Sequence, residues 1–379
     1  MTQTITLGYL NIGPPRHGIL KYGKNIEKMA QAHNAVEVIS ARVNLDGTVE
    51  ENKQRLLEAA TCLQQADIVH LQHNHALWGG QQQADYFEFF TNSCDRPILA
   101  TLHDVYLNTD AFNGRNLVTY LKQHYGRRSQ FYRRLFKSCA GVVVCTHQES
   151  KQLTTVVCKR RKTREKLQTI PHYVETRATT YAKAQPANPP KEKDTRQQLT
   201  LLGWIHPRKG HRLMVEALAK LPENVDLTFA GQASPENEPF LTDLLALTET
   251  LGIRQRVHLT GYLSETQLED HLLRADIAVC PFEDVSASGS LSTWISIAHP
   301  AIVATSLDSI EEYNQLVKGA IVTFTPYTAA ALASTLRQML STDLFARNDQ
   351  VQSLRQQLLL PKIFELHLDL YRQLFRDER

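Results

Sequence analysis

Arg208 and Lys209 are neighbouring basic residues in the stretch 203–210, which reads G-W-I-H-P-R-K-G. The apolar run 199–202 precedes this stretch, so we predict a strand, a short loop and a helix that begins near Gly210. Fixed cations in such a loop suit a reaction in which negative charge grows on a departing phosphate, because they stabilise that charge in the transition state. The alternative interpretation is a surface turn with ordinary basic residues.

A second stretch, residues 285–300, reads V-S-A-S-G-S-L-S-T-W-I-S-I-A-H-P and follows the apolar run 277–282. Its small residues Ser288, Gly289 and Ser290 would present successive backbone N–H groups to a phosphate at the start of a helix. A plain N-capped helix is the alternative, since serine is also a favoured N-cap residue.

Both stretches are predicted strand–loop–helix turns, and a parallel sheet places such turns at the carboxyl ends of its strands, where open α/β sheets bind ligands. We therefore expect the cations of the first turn and the amides of the second to form one diphosphate site. Glu283 and Asp284 lie at the mouth of the second turn. Either carboxylate could accept hydrogen bonds from sugar hydroxyls, and either could simply be solvated.

Glycines mark a third turn, residues 13–23, which reads G-P-P-R-H-G-I-L-K-Y-G. Gly13 and Gly18 would let the backbone approach a ligand, and a helix that we predict to begin near Lys24 would attract an anion. The pattern is not G-x-G-x-x-G, so a dinucleotide-binding fingerprint is not supported. A turn that only connects a strand to a helix is the alternative.

Histidines occur where two further predicted strands end. The run 69–80 reads V-H-L-Q-H-N-H-A-L-W-G-G and includes His75, while A-T-L-H-D-V-Y includes His103 and Asp104. The histidine spacing in the first run does not fit a metal-binding helix, and no carboxylate or cysteine is close in sequence, so we favour a polar pocket wall. His103 could donate hydrogen bonds or exchange protons near neutral pH, and a structural histidine is the alternative.

Short apolar runs recur along the chain, each followed by a helical pattern, which predicts an α/β fold with doubly wound parallel sheets. We predict two such domains, residues 1–175 and 199–360, joined by a linker at 176–198. The tail, residues 361–379, is predicted to form a helix that packs back on the first domain. The predicted strands are residues 5–10, 35–40, 68–72, 97–103, 141–146 and 167–171, followed by 199–205, 225–231, 257–263, 277–282, 301–305 and 320–324.

The composition is that of an ordinary globular protein: of 379 residues, 42% are hydrophobic and 21% are charged. A formal net charge of +3 is too small to indicate a nucleic-acid-binding protein. The six cysteines form no C-x-x-C pair, so we predict buried thiols in a reducing compartment. Because neither a signal peptide nor a run of about 18 apolar residues occurs, we expect a cytoplasmic protein.

Two segments, residues 122–137 and 159–166, are strongly basic, and aromatic residues interleave the first of them. An anionic membrane surface could bind such a face, which would place the protein at the inner side of the membrane. The alternative is a solvated helix face combined with a stripe of core residues.

The chain resembles the retaining glycosyltransferases of the large family four, which have the two-domain GT-B architecture. The resemblance runs over most of the chain, because seven segments occur in the family's order. They are G-P-P-R-H-G, V-H-L-Q-H-N-H-A-L-W-G, A-T-L-H-D, V-V-V-C-T, T-I-P-H-Y-V, L-L-G-W-I-H-P-R-K-G-H and A-D-I-A-V-C-P-F. It implies two Rossmann-like domains that face a cleft, with a nucleotide sugar mostly on the second and the acceptor on the first. It also implies no metal cofactor, with Lys209 on the diphosphate and His103 near the transferred sugar.

The sequence departs from the family pattern in the second turn. The family shows a Glu, seven residues, another Glu and then A-M-A-x-G-x-P. Anchored on Pro300, the two glutamates fall on Val285 and Thr293, and the usual glycine falls on Ala298. The resemblance implies that Glu283 or Asp284 would replace the first Glu, which holds the sugar in the family, while the ribose contact of the second Glu would be lost or altered.

We therefore predict a glycosyltransferase that moves a sugar from a nucleotide-sugar donor to a glycan or lipid-linked acceptor with retention of configuration. Because both glutamates are missing, the alternative is a catalytically inactive relative that binds a glycan, a nucleotide or a partner protein. The predicted residues are His103, Lys209 and Glu283 for catalysis, Arg208, Lys209, Ser288, Gly289, Ser290 and Gly13 for the diphosphate, and Gly18, His75 and Asp104 for the acceptor or sugar pocket.

Overall fold

The computed structural model describes residues 4–15, 17–80, 83–105, 107, 117–181 and 196–377. The chain divides into two compact units, each of which contains its own six-stranded parallel sheet. Unit 1 comprises Met1–His172 together with Leu360–Arg379, and unit 2 comprises Tyr173–Leu359. The predicted α/β class is therefore confirmed.

The strands of unit 1 coincide with the six apolar runs predicted in the first half of the chain. They are β1 (Ile5–Ile12), β2 (Val36–Val43), β3 (Ile68–His73), β4 (Ile98–Leu102), β5 (Gly141–Val144) and β6 (Leu167–Thr169). Their order across the sheet is β2-β1-β3-β4-β5-β6. Every residue of β3, β4 and β5 is buried, because helices cover both faces of the sheet, and this is why these strands read as continuous apolar runs.

The helices that alternate with these strands pack aromatic residues such as Phe87, Phe90 and Phe131 into the core of unit 1, and Trp78 joins this core from the turn after β3. Helix starts carry recognisable caps: Thr48 and Glu51 form a reciprocal capping box at the second helix. The helices of this part of the chain are α1 (Gly18–Gln31), α2 (Val49–Leu63), α3 (Gln83–Ser93), α4 (Leu117–Tyr125), α5 (Arg127–Ser138), α6 (His147–Val156) and α7 (Arg161–Glu165).

Unit 2 repeats the same construction. Its strands are β7 (Gln197–Leu202), β8 (Val225–Ala230), β9 (Val257–Leu259), β10 (Ile277–Cys280), β11 (Ile302–Thr305) and β12 (Val322–Phe324), in the order β12-β11-β10-β7-β8-β9. Its helices are α8 (His211–Leu218), α9 (Glu238–Thr250), α10 (Glu265–Arg274), α11 (Gly289–Ser296), α12 (Asp308–Leu316), α13 (Ala329–Leu340) and α14 (Asn348–Leu358).

The strand orders fix where each unit can hold a ligand. In unit 2 the first strand, β7, lies between β8 and β10, which is the Rossmann order. In unit 1 the first strand, β1, lies between β2 and β3. The order in which successive strands are added to the sheet reverses beside β7 and beside β1, and a crevice opens at the carboxyl ends of strands at such a point. The predicted site residues follow β7 and β10 in unit 2, and β1, β3 and β4 in unit 1.

The last helix, α15 (Leu360–Asp377), is amphipathic and belongs to unit 1. Its buried residues recur at intervals of three and four, which places them on one face. Tyr371 on this face is fully buried, and its hydroxyl lies 2.6 Å from Nδ1 of His70 on β3.

Helix α1 begins at Gly18, so the prediction of a helix that begins near Lys24 was wrong. Nδ1 of His17 accepts a hydrogen bond from the backbone N–H of Ile19 at 3.2 Å and caps the helix. Gly23, which was predicted to lie in the loop, is within the helix. A Cβ at Gly23 would overlap the side chain of Asn11, so glycine lets α1 lie close to the sheet.

Five cysteines are buried as predicted, but Cys62 is exposed.

Of the predicted linker 176–198, residues 182–195 lie outside the described residues. Tyr181 still belongs to unit 2, since its backbone N–H donates to the carbonyl of Ile297 at 2.7 Å, and β7 begins at Gln197. Within the described residues, no helix combines the length and apolar character needed to cross a membrane.

Candidate active site

The two turns of unit 2 that were predicted to share a site lie against each other. The backbone N–H of Glu283 donates to the carbonyl oxygen of Arg208 at 2.9 Å, which joins the loop after β10 to the loop after β7. Gly210, with φ of 76°, follows the single 3-10 turn Pro207–Lys209 and precedes α8. A side chain at Gly210 would overlap the carbonyl oxygen of Pro281, so glycine permits this close approach.

Lys209 extends from the first turn to the second. Its Nζ lies 3.3 Å from Oγ of Ser290, the second residue of α11. A Cβ on Gly203 would come within 2.5 Å of Nζ, so glycine at the end of β7 leaves room for the lysine. Lys209 is half-buried, and burial lowers the pKa of its ammonium group.

No carboxylate forms an ion pair with Lys209 in the described part of the chain. The nearby Cys280 thiol does not supply a negative charge, because burial raises its pKa to about 12. Buried charges in proteins are normally paired, since an unpaired one loses its hydration without compensation. The surroundings of Lys209 therefore favour an anionic ligand.

Ser288 is the N-cap residue of α11, so the plain capping interpretation is correct for its side chain. Its Oγ accepts a hydrogen bond from the backbone N–H of Leu291 at 3.2 Å and lies 3.0 Å from Oγ of Ser290. The backbone N–H groups of Gly289 and Ser290 make no hydrogen bond to another described residue. They remain able to bind a phosphate oxygen at the positive end of the helix.

Three other predicted residues of unit 2, Arg208, Glu283 and Asp284, have exposed side chains. Glu283 acts electrostatically on Tyr327, whose pKa is raised to about 12, mainly by burial and secondly by that carboxylate. The Tyr327 hydroxyl donates to the carbonyl of Pro281 at 3.2 Å. Glu283 therefore lies at the rim of the corner that holds Lys209 and Ser290.

The positions that carry carboxylates in the family pattern have other roles here. Oγ1 of Thr293 donates to the carbonyl of Gly289 at 2.8 Å, a bond within α11. The carbonyl of Val285 accepts a hydrogen bond from Oγ of Ser309 at 2.7 Å. Ala298, which replaces the usual glycine, has φ of 52°. This left-handed conformation favours glycine, which accounts for the family preference at that position.

Two glycines of unit 1 lie where the strand order opens a crevice. Gly13 follows β1 with φ of 119°, and a Cβ on it would come within 2.9 Å of the Leu77 side chain. Gly18 is the first residue of α1, and a Cβ there would meet no described atom within 4 Å. The space beside this helix N-terminus is therefore open with respect to the described residues.

His75 and Asp104 are brought together by the loops after β3 and β4. The carboxylate of Asp104 accepts a hydrogen bond from the backbone N–H of His75, whose nitrogen lies 3.1 Å from Oδ2 and 3.3 Å from Oδ1. The carbonyl of Asp104 accepts the hydroxyl of Tyr132 at 2.9 Å. Asp104 thus holds the two loops in place, a role that its sequence position did not reveal, and its place in the acceptor pocket stays a prediction.

His103 is held by Gln72 and Tyr22. Its Nε2 lies 2.8 Å from Oε1 of Gln72, and the ring of Tyr22 packs edge-on against it with centroids 4.7 Å apart. Burial lowers the pKa of His103 well below its ordinary value, and neighbouring histidines, His172 foremost, lower it further. The ring is therefore neutral near pH 7, and its contact with a transferred sugar stays a prediction.

The other two histidines of the 69–80 run, His70 and His73, are buried inside unit 1. Nε2 of His70 lies 2.8 Å from Oγ1 of Thr101. His73 stacks on Phe131 and Trp78, with centroids 5.0 and 6.0 Å apart. No group of three histidine, cysteine, aspartate or glutamate side chains is arranged to hold a metal ion among the described residues.

Sequence reasoning missed Gln72, Tyr22 and Tyr371. The alternation of His70 and Gln72 on β3 was a usable signal, because residues two apart share a face of a strand. Tyr371 gave no comparable signal, since 301 positions separate it from His70.

The basic segment 122–137 has the core stripe and the solvated face of the alternative interpretation, and membrane binding stays a prediction. Phe131, Tyr132 and Phe136 of α5 are core residues, whereas the basic residues Lys122, Arg127, Arg128, Arg134 and Lys137 are exposed. On α4, however, Val118, Leu121 and Tyr125 are 65%, 45% and 65% exposed at spacings of three and four. These three side chains, the α4 apolar face, lie beside the basic residues.

Comparison with protein families gives one match in the second half of the chain. The family model described as "Glycosyl transferases group 1" matches residues 184–356. A comparison with curated protein sequences gives no match. The match covers the strand–loop–helix turns that contain Lys209 and Ser290.

Solved structures show the same fold. Sucrose-phosphate synthase from Thermosynechococcus elongatus is 16% identical, with a TM-score of 0.73 over 98% of this chain and 100% of that chain. HepE of Anabaena, solved in complex with UDP and glucose, is 14% identical, with a TM-score of 0.68 over 97% and 99%. A glycosyltransferase from Rickettsia africae ESF-5 is 16% identical, with a TM-score of 0.68 over 98% of each chain. These likenesses identify the GT-B fold with its two Rossmann-like domains.

Proposed function

We propose that the protein transfers a sugar from a nucleotide-sugar donor to an acceptor, starting from the match of residues 184–356 to the model of the glycosyl transferases group 1 family. The observation that most supports this proposal is the environment of Lys209. Its half-buried ammonium has no carboxylate partner in the described part of the chain and lies 3.3 Å from Ser290 at the start of α11. Two linked phosphoryl groups would supply the missing negative charge, and their oxygens would accept hydrogen bonds from the backbone N–H groups of Gly289 and Ser290.

In the proposed reaction, the bond between the anomeric carbon and the donor's phosphate oxygen breaks, and its electron pair leaves with the nucleoside diphosphate. Lys209 and the amides of Gly289 and Ser290 stabilise that charge, with Arg208 at the solvent side. The acceptor hydroxyl adds to the anomeric carbon on the face that the diphosphate leaves, and its proton passes to the departing diphosphate oxygen, so that the configuration is retained. No metal ion is required in this scheme, because the lysine and the helix N-terminus supply the positive charge.

The remaining predicted residues are assigned to the sugar and the acceptor. Glu283 would accept sugar hydroxyls at the rim of the diphosphate corner, and His103 would contact the transferred sugar. In unit 1, Gly13 and Gly18 would let backbone approach the donor, while His75 and Asp104 would line the acceptor pocket. Uridine nucleotide sugars are the first donors to test, since HepE of Anabaena was solved with UDP-glucose.

A glycan or lipid-linked acceptor agrees with one surface of unit 1. The α4 apolar face, with its exposed basic neighbours, has the composition of a helix that lies on an anionic membrane. We propose that this face holds the protein weakly at the cytoplasmic surface of such a membrane, where a lipid-linked acceptor is presented.

A second candidate function rests on Val285 and Thr293, which stand where the family pattern has glutamates. Thr293 uses its hydroxyl within α11, so it offers a ribose no carboxylate. A protein of this kind could bind a nucleotide or a glycan without catalysing transfer and regulate a partner enzyme.

One assay separates the two candidates. Purified protein is incubated with UDP-, GDP- and ADP-sugars, with and without oligosaccharide or polyprenyl-phosphate-linked acceptors, and release of nucleoside diphosphate is measured. Turnover that Lys209→Ala abolishes and Lys318→Ala preserves supports the transferase. Saturable donor binding without hydrolysis or transfer for any donor supports the binding protein.

A further inference from the structure

The carboxyl end of α11 is closed partly by its own backbone and partly by other segments of unit 2. The carbonyl of Trp294 accepts a hydrogen bond from the backbone N–H of His299 at 3.1 Å, and the carbonyl of Ile295 accepts one from Ala298 at 2.9 Å. With Ala298 in the left-handed conformation, this is the pattern of a Schellman cap. The carbonyl of Ser296, the last residue of the helix, takes its partner from another helix.

Arg355 on α14 is that partner. Its Nε donates to the carbonyl of Ser296 at 2.7 Å, and one of its terminal nitrogens donates to the carbonyl of Arg177 at 3.2 Å. A guanidinium only donates hydrogen bonds and a carbonyl only accepts them, so the direction of both bonds is fixed. Arg355 is 7% exposed and forms no ion pair with a described carboxylate, so these carbonyls, one of them at the negative end of α11, stabilise its charge.

Arg177 makes a second bond to the same residue. Its Nε donates to Oγ of Ser296 at 3.0 Å, and that hydroxyl donates in turn to the carbonyl of Thr293 at 2.6 Å. A terminal nitrogen of Arg177 also lies 3.4 Å from a carboxylate oxygen of Glu265 on α10. The last turn of α11 is therefore tied to α14 directly and to α10 through Arg177.

We infer that Arg355 is a positioning residue for the donor site: it holds the last turn of α11 and thereby fixes where the first turn presents the backbone N–H groups of Gly289 and Ser290. This role rests on the proposed function only in assigning the diphosphate to α11. The helix has eight residues and is about 12 Å long, so a shift of its last turn also moves its first turn. Hydrogen bonds from the first turn to phosphate oxygens weaken once their distances and angles leave the preferred range.

Arg256 provides a matched control within unit 2. It is 6% exposed, and its guanidinium donates to the carbonyls of Val225 at 2.9 Å and Pro222 at 2.8 Å. Arg355→Ala and Arg256→Ala each delete a buried guanidinium together with its hydrogen bonds to backbone carbonyls. Both variants should therefore lose stability in urea, whereas only Arg355→Ala removes a bond to α11.

The position of α11 can be read in the free protein by nuclear magnetic resonance. The full chain is labelled with ¹⁵N-glycine, and the amide signal of Gly289 is assigned by its disappearance in Gly289→Ala, where the added Cβ meets no described atom within 4 Å. We expect Arg355→Ala to shift the Gly289 signal and Arg256→Ala to leave it in place. Because Gly289 is at the opposite end of the helix from the Ser296 carbonyl, such a shift reports movement of α11.

UDP binding, measured by calorimetry, connects the position of α11 to the donor site. Arg355→Ala should bind UDP several-fold more weakly than Arg256→Ala does. An unshifted Gly289 signal in Arg355→Ala, or equal UDP affinity of the two variants, would overturn the inference.

Two further outcomes are separated by the same measurements. If circular dichroism shows that Arg355→Ala does not fold, Arg355→Lys and Arg256→Lys replace the pair, since lysine keeps the charge but loses the planar fork that reaches two carbonyls. If the wild-type protein binds no nucleoside diphosphate, the proposed function fails, while the Gly289 signal still decides whether Arg355 positions α11.

Discussion

The ammonium nitrogen of Lys209 lies 3.3 Å from the hydroxyl oxygen of Ser290, although 81 positions separate the two residues in the chain. β7 and β10 are neighbours in the sheet, so the turns that follow them begin side by side. The contact between Lys209 and Ser290 brings a cation to the first turn of α11. The proposed diphosphate site depends on this arrangement.

Replacing Gly210 tests whether the approach of the two turns matters. Gly210→Ala should lower the free energy of unfolding by about 3 kcal/mol or more, because a left-handed alanine is strained and its Cβ overlaps the Pro281 carbonyl. Gly252→Ala is the matched control: its φ is 67°, but a Cβ there meets no described atom within 4 Å, so it should cost only about 1 kcal/mol. Urea denaturation measures both, and equal losses would show that the contact has no effect.

Ser288 has a capping role that can be separated from the ligand site. Ser288→Ala and Ser264→Ala each remove an N-cap, at α11 and α10 respectively, so each should cost about 1 kcal/mol of stability. Only Ser288→Ala should also weaken UDP binding, because it disturbs Ser290 and the amides beside it. Equal UDP affinity in the two variants would place the nucleotide away from α11.

His73 should make the protein sensitive to acid. Its ring nitrogens are buried and have no hydrogen-bond partner among the described residues, and burial lowers its pKa to about 3. Because the unfolded chain binds this proton near pH 6.5 and the folded chain does not, stability should fall as pH falls below 6.5. The contribution of His73 between pH 7 and pH 5 is about 2 kcal/mol.

His73→Phe keeps the stacking on Phe131 and Trp78 and removes the titrating group. Its loss of stability between pH 7 and pH 5 should be smaller than that of wild type by this amount, as measured by denaturant titration at both pH values. An unchanged loss would mean that His73 is not a source of the acid sensitivity.

The α4 apolar face should govern binding to anionic vesicles. Wild-type protein should co-sediment with vesicles that contain phosphatidylglycerol more than with neutral vesicles. Replacing Val118, Leu121 and Tyr125 by serine should reduce that binding several-fold, because the apolar side chains that would enter the interface are lost. The control replaces Leu259, Leu316 and Phe345, exposed apolar residues of unit 2, by serine. Negligible binding of wild type to both vesicle types would end the membrane proposal.

Much of the fold could be predicted because parallel strands buried on both faces leave a direct mark on the sequence. Every apolar run predicted as a strand is a strand in the structure, although several end earlier than predicted. The start of α1 was missed because G-P-P-R-H-G has the composition of a loop and histidine is not among the favoured N-cap residues. The capping bond from Ile19 to His17 becomes visible only in three dimensions.

The candidate site was predictable to a similar degree. The meeting of Lys209 with Ser290 followed from the rule that turns gather at the carboxyl ends of parallel strands. Gln72 and Tyr371 were not found, since their contacts with His103 and His70 join distant segments and depend on side-chain orientation. The structural role of Asp104 was hidden for the same reason.

The most direct test of the account is the equilibrium binding of UDP by calorimetry to wild type, Lys209→Ala and Lys318→Ala. Lys318 is an exposed lysine of unit 2 and controls for the loss of one positive charge. We predict that Lys209→Ala binds UDP about 10- to 100-fold more weakly than wild type, as expected for a lost hydrogen bond from a charged group, and that Lys318→Ala binds as wild type does. Equal affinity of Lys209→Ala and wild type for UDP would contradict the diphosphate site.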